Sequence, residues 1–287
     1  MNAKIVILKS TRALFKSKFA TVGFIIICII AMIAILSNYI MPYDPTAINV
    51  GRAKTPPCQD FPFGTDIFGR DILSRMLWGV KISLSLTLAV VALSFAMGVP
   101  LGLIAGYFGG IAEFIIMRAT DIMLCFPWVL MALFIAAIIG PGIPVVILAL
   151  TFVYIPSYIR LVHGLTLSIK SKEYVEAAIV TGETKLSIIL RYILPNCMSA
   201  LIVQSTLVIS FVLLGEAAIS YLGMGVQSPM ASWGLMISEG AEVLFTAPHV
   251  SAIPGIAIVI TVLAVNLFGD GLRDILDPKR TGGLREI

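Results

Sequence analysis

The sequence predicts an all-α protein that crosses a membrane with six helices, and three observations lead to this fold class. Hydrophobic residues make up 59% of the 287 positions and charged residues only 13%, with a mean hydropathy of +1.01. A soluble domain of this size carries about a quarter charged residues, so lipid must cover much of this surface. Apolar runs long enough to cross a bilayer recur. Most of the 20 lysines and arginines fall on one side of the resulting topology.

The first predicted span follows a basic segment. Residues 1–18 contain basic residues and no acid, and an apolar run of about 23 residues follows at 19–41. Because lysine and arginine favour the cytoplasmic side, we expect segment 1–18 in the cytoplasm. The run ends in Pro42-Tyr43-Asp44-Pro45 without a small-residue cleavage site, which predicts a retained span.

Five more spans and two external segments complete the predicted topology, with both termini inside. The further spans are expected at about 81–107, 111–139, 143–162, 196–221 and 251–268. Charged and apolar residues alternate near 67–77, at the end of the first external segment, and predict an interfacial amphipathic helix. We therefore divide the chain into a cytoplasmic segment 1–18, a first helix with its external segment 19–80, a five-helix core 81–271 and a cytoplasmic tail 272–287.

Two patterns inside the spans predict contacts. Small residues recur every fourth position and predict a stripe along which a neighbouring helix approaches closely. The stripe comprises Gly98, Gly102, Gly106 and Gly110. A phosphate loop is excluded there because no Lys-Ser/Thr pair follows. Arg118 and Asp121 are three residues apart, so they share a helix face and can form an ion pair. Glu113 either joins this pair or stays solvated.

Catalytic and metal-binding residues are not predicted. The cysteines lack C-x-x-C spacing and are interpreted as small core residues, with no disulfide framework. They are Cys28, Cys58, Cys125 and Cys197. His163 and His249 are too far apart in sequence to suggest a metal site. We expect Asp66 and Asp71 to serve as turn, cap or ion-pair residues. A G-x-x-x-x-G-K-[ST] nucleotide-binding motif does not occur in the chain.

A polar, helix-forming stretch at 173–195 lies between two spans and reads EYVEAAIVTGETKLSIILRYILP. Ala177 and Ala178 predict a shallow surface that another protein can approach, with the charge of Glu176 beside it. Gly182 permits a bend, and Pro195 suits the first turn of a following helix. The stretch therefore predicts a docking element within a cytoplasmic loop at about 164–195. An amphipathic loop without a partner is the alternative.

The motif of this stretch resembles the EAA loop through which permease subunits of bacterial ABC importers engage their ATPase subunits. The resemblance rests on Glu176-Ala177-Ala178, Gly182 and Leu194-Pro195, while Tyr192 replaces the usual isoleucine. Three other stretches match the dipeptide, oligopeptide and nickel branch of these permeases. They are FGTDIFGRDILSR at 63–75, GLIAGYFGG at 102–110 with the residues up to Asp121, and GMGVQSPMASWGLMI at 223–237. The chain thus looks like the second, C-type permease subunit.

This resemblance implies a type I ABC importer permease fold in the bacterial cytoplasmic membrane. It implies a heterodimer with a homologous permease, two ATP-binding subunits and an extracytoplasmic solute-binding protein. Mg-ATP is expected on the ATPase partners, and no cofactor in this chain. Membrane lipid is an expected partner and nucleic acid is not.

The solute is expected to be a short peptide, with nickel or a metal chelate of the opine type as the alternative. The residues expected along the translocation path are Gln204, Ser205, Ser210 and Glu216, although Glu216 can also snorkel to the outer interface. An ion-coupled secondary transporter would carry ionisable residues at mid-membrane. It is less favoured because Arg118, Asp121, Arg160 and Glu216 are expected near span ends. A structural or signalling membrane protein does not explain the ordered motifs.

Overall fold

A computed structural model describes residues 18–276, and all the regular elements in this part of the chain are helical. The elements are α1 Lys18–Ile40, α2 Ile72–Phe108, α3 Gly110–Cys125, α4 Trp128–Ile139, α5 Ile143–Lys170, α6 Glu173–Val180, α7 Lys185–Ile188, a π-helical turn Ile189–Ile193, α8 Leu194–Tyr221, α9 Trp233–Ala241 and α10 His249–Leu276. The predicted N-terminal segment, apart from Lys18, and the tail from 277 onward lie outside the described residues.

Within residues 18–276, five helical stretches are long and apolar enough to cross a membrane, and α3 with α4 makes a sixth if the bent pair counts as one span. The all-α fold class is confirmed. The third span expected at 111–139 is not one straight helix, because α3 and α4 meet at an angle of 93°. Pro127 disfavours helical dihedrals at the preceding residue. Phe126 is accordingly extended, with φ −85° and ψ 135°, and the helix ends at Cys125.

The second span begins earlier than expected, because α2 starts at Ile72 and continues without interruption to Phe108. The separate interfacial helix near 67–77 is therefore wrong. Ile72 and Met76 are buried in a cluster with Trp233 of α9 instead of lying on the lipid surface. Asp71 caps the helix by accepting a hydrogen bond from the Ser74 amide at 2.8 Å, as the predicted cap role requires.

Close packing of α2 against α5 forms the centre of the fold and uses three glycines of the predicted stripe. A Cβ built on Gly98 would lie 2.6 Å from Tyr158 Cβ, and one on Gly106 would lie 2.6 Å from Thr166 Cβ. Gly102 faces Val162 in the same way. The stripe is thus confirmed for three glycines over about two helical turns. Gly110 does not belong to it, since it begins α3 with φ +57° and nothing lies near its Cβ position.

We expect Gly102→Ala to destabilise the protein. The new methyl group would lie 2.7 Å from Val162 Cβ and 2.8 Å from the Ile159 carbonyl oxygen, so α2 and α5 must separate. Such overpacking costs about 1–3 kcal/mol. Gly164→Ala is the matched control, because it lies in α5 with no atom within 4 Å of the Cβ position. It should leave stability unchanged or raise it by up to ~1 kcal/mol. Thermal unfolding in detergent measures both, and equal stabilities would refute the packing account.

The cysteines differ from the prediction. Cys197 alone among the four is buried, and Cys28, Cys58 and Cys125 are exposed. The core assignment is therefore wrong for three of them. Cys28 and Cys125 lie in apolar helices, and such helices in a membrane protein present much of their surface to lipid, so an apolar context does not imply burial inside the chain. Cys58 lies in the external segment between α1 and α2.

Candidate docking loop and solute path

The short helix α6 turns two residues of the docking element inward and the others outward. Val175 and Ala178 are buried in the main hydrophobic cluster, together with Ile188 and Ile189. Glu176, Ala177 and Ile179 are exposed, and Val180 is 87% exposed. The expected two-alanine surface is thus wrong in one respect, because Ala178 packs against the chain itself. The outward face instead adds apolar side chains beside Ala177.

A Schellman motif ends α6 and produces the expected bend. The Gly182 amide donates to the Ile179 carbonyl at 3.1 Å, and the Glu183 amide donates to the Ala178 carbonyl at 3.1 Å. Gly182 has φ +83°, a conformation that glycine adopts without steric cost. In the part of the chain that the structure describes, no atom lies within 4 Å of its Cβ position. The bend is therefore held by backbone bonds, and position 182 faces open space.

Glu183 connects the bend to the following helix, a role that the sequence did not reveal. Its carboxylate accepts hydrogen bonds from Ser187 Oγ at 2.6 Å and from Tyr192 Oη at 2.8 Å. These two bonds hold the pKa of Glu183 below its ordinary value, and the bond from Ser187 has the larger effect. The carboxyl group is therefore charged at neutral pH. Tyr192, the departure from the usual motif, thus has a specific partner inside the loop.

Leu194 and Pro195 form the start of α8, so the predicted first-turn position of Pro195 is confirmed, and the helical path continues back from there to Lys185. A proline inside an α-helix lacks a donor and clashes with the carbonyl four residues earlier. Here the π-helical turn precedes it, and the Leu194 amide donates to the Ile189 carbonyl, five residues back. The wider turn accommodates Pro195. The bend at Gly182 is therefore continuous with one long membrane helix.

The four expected path residues differ in their surroundings. Ser205 accepts a hydrogen bond from Tyr158 Oη of α5 at 3.0 Å. Ser210 donates to Asn266 Oδ1 of α10 at 3.0 Å, beside a cavity of about 320 Å³. Gln204 is half-buried.

Glu216 is 1% exposed and accepts hydrogen bonds from Ser220 and from Ser232, the residue that caps α9. In this structure its carboxylate therefore faces protein and not an open path.

A buried ion-pair cluster joins the first external segment to α9. Arg70 pairs with Asp66 and, at 2.6 Å, with Glu239. Arg75 is fully buried and contacts Glu239 at 2.9 Å and Asp66 at 3.5 Å. The expected turn and ion-pair role of Asp66 is confirmed. Glu239 was missed, because its partners lie more than 160 positions away in sequence.

A second group of charges lies between α3 and α5. Asp121 contacts Arg118 at 3.5 Å, which confirms the predicted pair, and it also contacts Arg160 at 2.8 Å. Glu113 does not join them, because it pairs with His163 at 2.7 Å. The partners on α5 could not be predicted from the sequence, because they belong to another helix.

Comparison with protein families decides the class of the molecule. Residues 98–282 match the family described as the inner membrane component of binding-protein-dependent transport systems. Residues 9–57 match the N-terminal transmembrane domain of oligopeptide transport permease C. The chain belongs to this permease family.

Individual permeases are similar to the chain over almost its full length. The dipeptide transport permease DppC of Haemophilus influenzae is 42% identical over 91% of this chain and 90% of its own length. The glutathione transport permease GsiD of Pectobacterium atrosepticum is 41% identical over 90% and 85%. An inward-facing structure of the MetNI methionine ABC transporter superposes with a TM-score of 0.60 at 19% identity, over 72% of this chain and 98% of that chain. This structure supports the fold alone.

These matches confirm the predicted family and fold. The protein is a multi-pass membrane permease of a bacterial ABC importer, a transport component without a catalytic domain. Membership of the family implies ATPase and binding-protein partners in general.

Proposed function

We propose that this permease imports short peptides and forms the translocation path together with a homologous permease. The similarity to dipeptide and glutathione permeases along nearly the whole chain carries this proposal. Two ATPase subunits, which bind Mg-ATP, dock on the cytoplasmic side, and a solute-binding protein docks outside. Both termini are cytoplasmic, in agreement with the basic residues at 1–18.

The ATPase docks on the outward face of α6 and on the bend at Gly182. Exposed Ile179 and Val180 support this assignment, because an apolar face in a cytoplasmic loop marks an interaction site. Glu176 and Ala177 lie on the same exposed helix, and Ala178 anchors it from within.

Coupling follows from the connection beyond the bend. Leu194 and Pro195 lie in the helical path that leads into α8, so displacement of α6 is transmitted along a helix that crosses the membrane. Because Val175 and Ala178 are packed into the core cluster, α6 moves as a rigid element with its neighbours. Closure of the ATPases then switches the path from inward-facing to outward-facing.

The solute path includes Gln204, Ser205 and Ser210 on α8. The cavity beside Ser210 supports this part of the proposal, because Asn266 and Asp270 add polar groups to its otherwise apolar wall. For Glu216 we propose a different role from the expected one. Its buried bonds to Ser220 and Ser232 hold α9 against the outer end of α8.

Uptake in cells that lack this chain tests the proposed function. We expect uptake of a labelled dipeptide to be lost and to return with the wild-type chain. Radioactive nickel, with and without a small chelator, serves as the comparison solute. Loss of nickel uptake with normal dipeptide uptake would overturn the peptide assignment and favour a metal-chelate importer.

A further inference from the structure

We propose that Arg118, Asp121 and Arg160 form a charged site on the wall of the water-filled solute path. The two guanidinium groups bind the carboxylate of the passing solute. This inference rests on the proposed function, since it takes the solute to be a short peptide with a free C-terminus. We call these three residues the charged site.

The depth of the charged site follows from groups that mark the cytoplasmic boundary. Lys170 Nζ donates to the Tyr107 carbonyl at 2.7 Å, and Lys185 Nζ lies 5.6 Å from the centre of the Phe108 ring. Lys170 Nζ also lies 5.3 Å from the centre of the Tyr107 ring, and tyrosine concentrates at the membrane–water interface with lysine on its cytoplasmic side. At 1.5 Å per residue, Arg160 lies about 15 Å along α5 from Lys170.

The position of Asp121 agrees with this depth. It lies about 16 Å along α3 from Gly110, where that helix begins beside the end of α2. The hydrocarbon core of a bilayer is about 30 Å thick. Measured along the helices, the charged site therefore lies about 15 Å from the ends of α3 and α5 that these groups mark, within the thickness of the hydrocarbon core.

Exposure shows that residues 18–276 leave the charged site uncovered. The side chains of Arg118, Asp121 and Arg160 are 67%, 38% and 53% exposed. Ionisable groups at this depth are costly in lipid, and in membrane proteins they face water-filled cavities or protein. Arg118 is long enough to reach toward the interface. Asp121 is too short for this, and its 2.8 Å contact keeps Arg160 at the same depth. Water or protein, and not lipid, must cover this face.

Polar and small residues surround Arg160 on α5 and favour water. Ser157 and Gly164 lie three and four residues away, on the same helix face. Ser157 is half-buried and Gly164 is exposed with nothing near its Cβ position. This face therefore leaves room beside the guanidinium group.

The charge balance of the site selects an anionic ligand. In the described ion pairs, Asp121 is the carboxylate partner of both Arg118 and Arg160, while Glu113 is engaged by His163. Two guanidinium groups with one carboxylate carry a net positive charge. Guanidinium binds carboxylates through paired N–H donors, and the exposed part of each arginine leaves donors free for a solute.

Thiol labelling tests the position of the site independently of the solute. In a functional background without native cysteines, Ser157→Cys in the assembled importer should react with a charged, membrane-impermeant thiol reagent in open membranes. A variant that keeps only Cys28 is the matched control, because Cys28 is exposed in the middle of α1, which is apolar on all sides. We expect at least about tenfold faster labelling at position 157. Equally slow labelling at both positions would overturn the proposed water-filled wall.

Double substitution separates solute binding from the internal ion pair. We expect Arg160→Gln to lower dipeptide uptake about tenfold, which corresponds to the loss of one charge-assisted hydrogen bond. The amount of chain in the membrane should stay normal. Arg160→Lys should restore part of the uptake. The double variant Asp121→Asn with Arg160→Gln should stay impaired, because the solute still lacks its partner. Wild-type uptake by the double variant would show a structural ion pair only and overturn carboxylate binding.

If the wild-type chain takes up no dipeptide, the proposed function fails, while the labelling result still decides where the site lies.

Discussion

Gly182→Asp is expected to abolish peptide uptake while the chain stays in the membrane in normal amounts. The substitution places a charged side chain at the bend after α6, beside the exposed face of Ala177 and Val180. Among residues 18–276, no atom lies within 4 Å of the new Cβ atom, so this part of the fold gains no internal clash. The positive φ of +83° costs about 1 kcal/mol for a residue with a side chain, and aspartate tolerates it better than most.

The loss must then arise at the surface where the ATPase docks. A carboxylate buried in that interface without a partner costs several kcal/mol, and every 1.4 kcal/mol lowers affinity about tenfold. Uptake of labelled dipeptide, normalised to the amount of chain in the membrane, measures the effect.

Gly223→Asp is the matched control for this prediction. Gly223 ends α8 in the same Schellman motif, with its amide bonded to the Ser220 carbonyl and the Met224 amide bonded to the Ile219 carbonyl. Its φ is +78°, and its Cβ position is also open. The backbone cost of the substitution is therefore the same at both positions. Gly223, however, follows the end of the helical path Lys185–Tyr221, whereas Gly182 precedes its start. We expect the control to retain most uptake. Equal loss in both variants would assign the effect to backbone strain and contradict docking at Gly182.

Glu239→Ala is expected to cause the largest loss of stability. Glu239 contacts both Arg70 and Arg75, whose side chains are 2% and 0% exposed. Its removal leaves Asp66 as the remaining partner in the cluster for two buried positive charges. Breaking a buried ion pair on one side costs about 3–5 kcal/mol. The first external segment should then detach from α9.

Thermal unfolding of the detergent-extracted chain and its amount in the membrane measure this effect. Glu242→Ala is the control, because Glu242 follows α9 closely in sequence but is exposed. It should change stability by less than about 0.5 kcal/mol. Glu239→Gln keeps the shape of the side chain and loses its charge, so its loss of stability should lie between those of Glu239→Ala and Glu242→Ala. A chain that tolerates Glu239→Ala as well as Glu242→Ala would show that the cluster does not hold the external segment.

Several features of the docking loop and of α2 could be predicted from the sequence, because they depend on local geometry. Gly182 was assigned to a bend since few other residues adopt a positive φ, and the bend is present with that dihedral. The stripe of Gly98, Gly102 and Gly106 was predicted because helical periodicity places these residues on one face. These inferences need no knowledge of distant parts of the chain.

Other features depend on contacts between distant segments and could not be predicted. Ala177 and Ala178 are equivalent in sequence, but packing against the core decides that Ala178 is buried and Ala177 is exposed. Asp121 and Arg160 are 39 positions apart and meet only because α3 and α5 are adjacent. The break between α3 and α4 is a different case. Pro127 was visible in the sequence, but the apolar run around it predicted one span.

Photo-crosslinking from position 180 tests the docking of the ATPase most directly. A photoreactive phenylalanine analogue at Val180, in cells that express the whole importer, should form a covalent adduct with a subunit that carries a G-x-x-x-x-G-K-[ST] loop. The same analogue at Ile29, which is 45% exposed in the middle of α1, should give no such adduct. Adducts with the ATPase from position 180 alone would support α6 as the docking element. Adducts from position 180 with lipid only, or the same products from both positions, would contradict it.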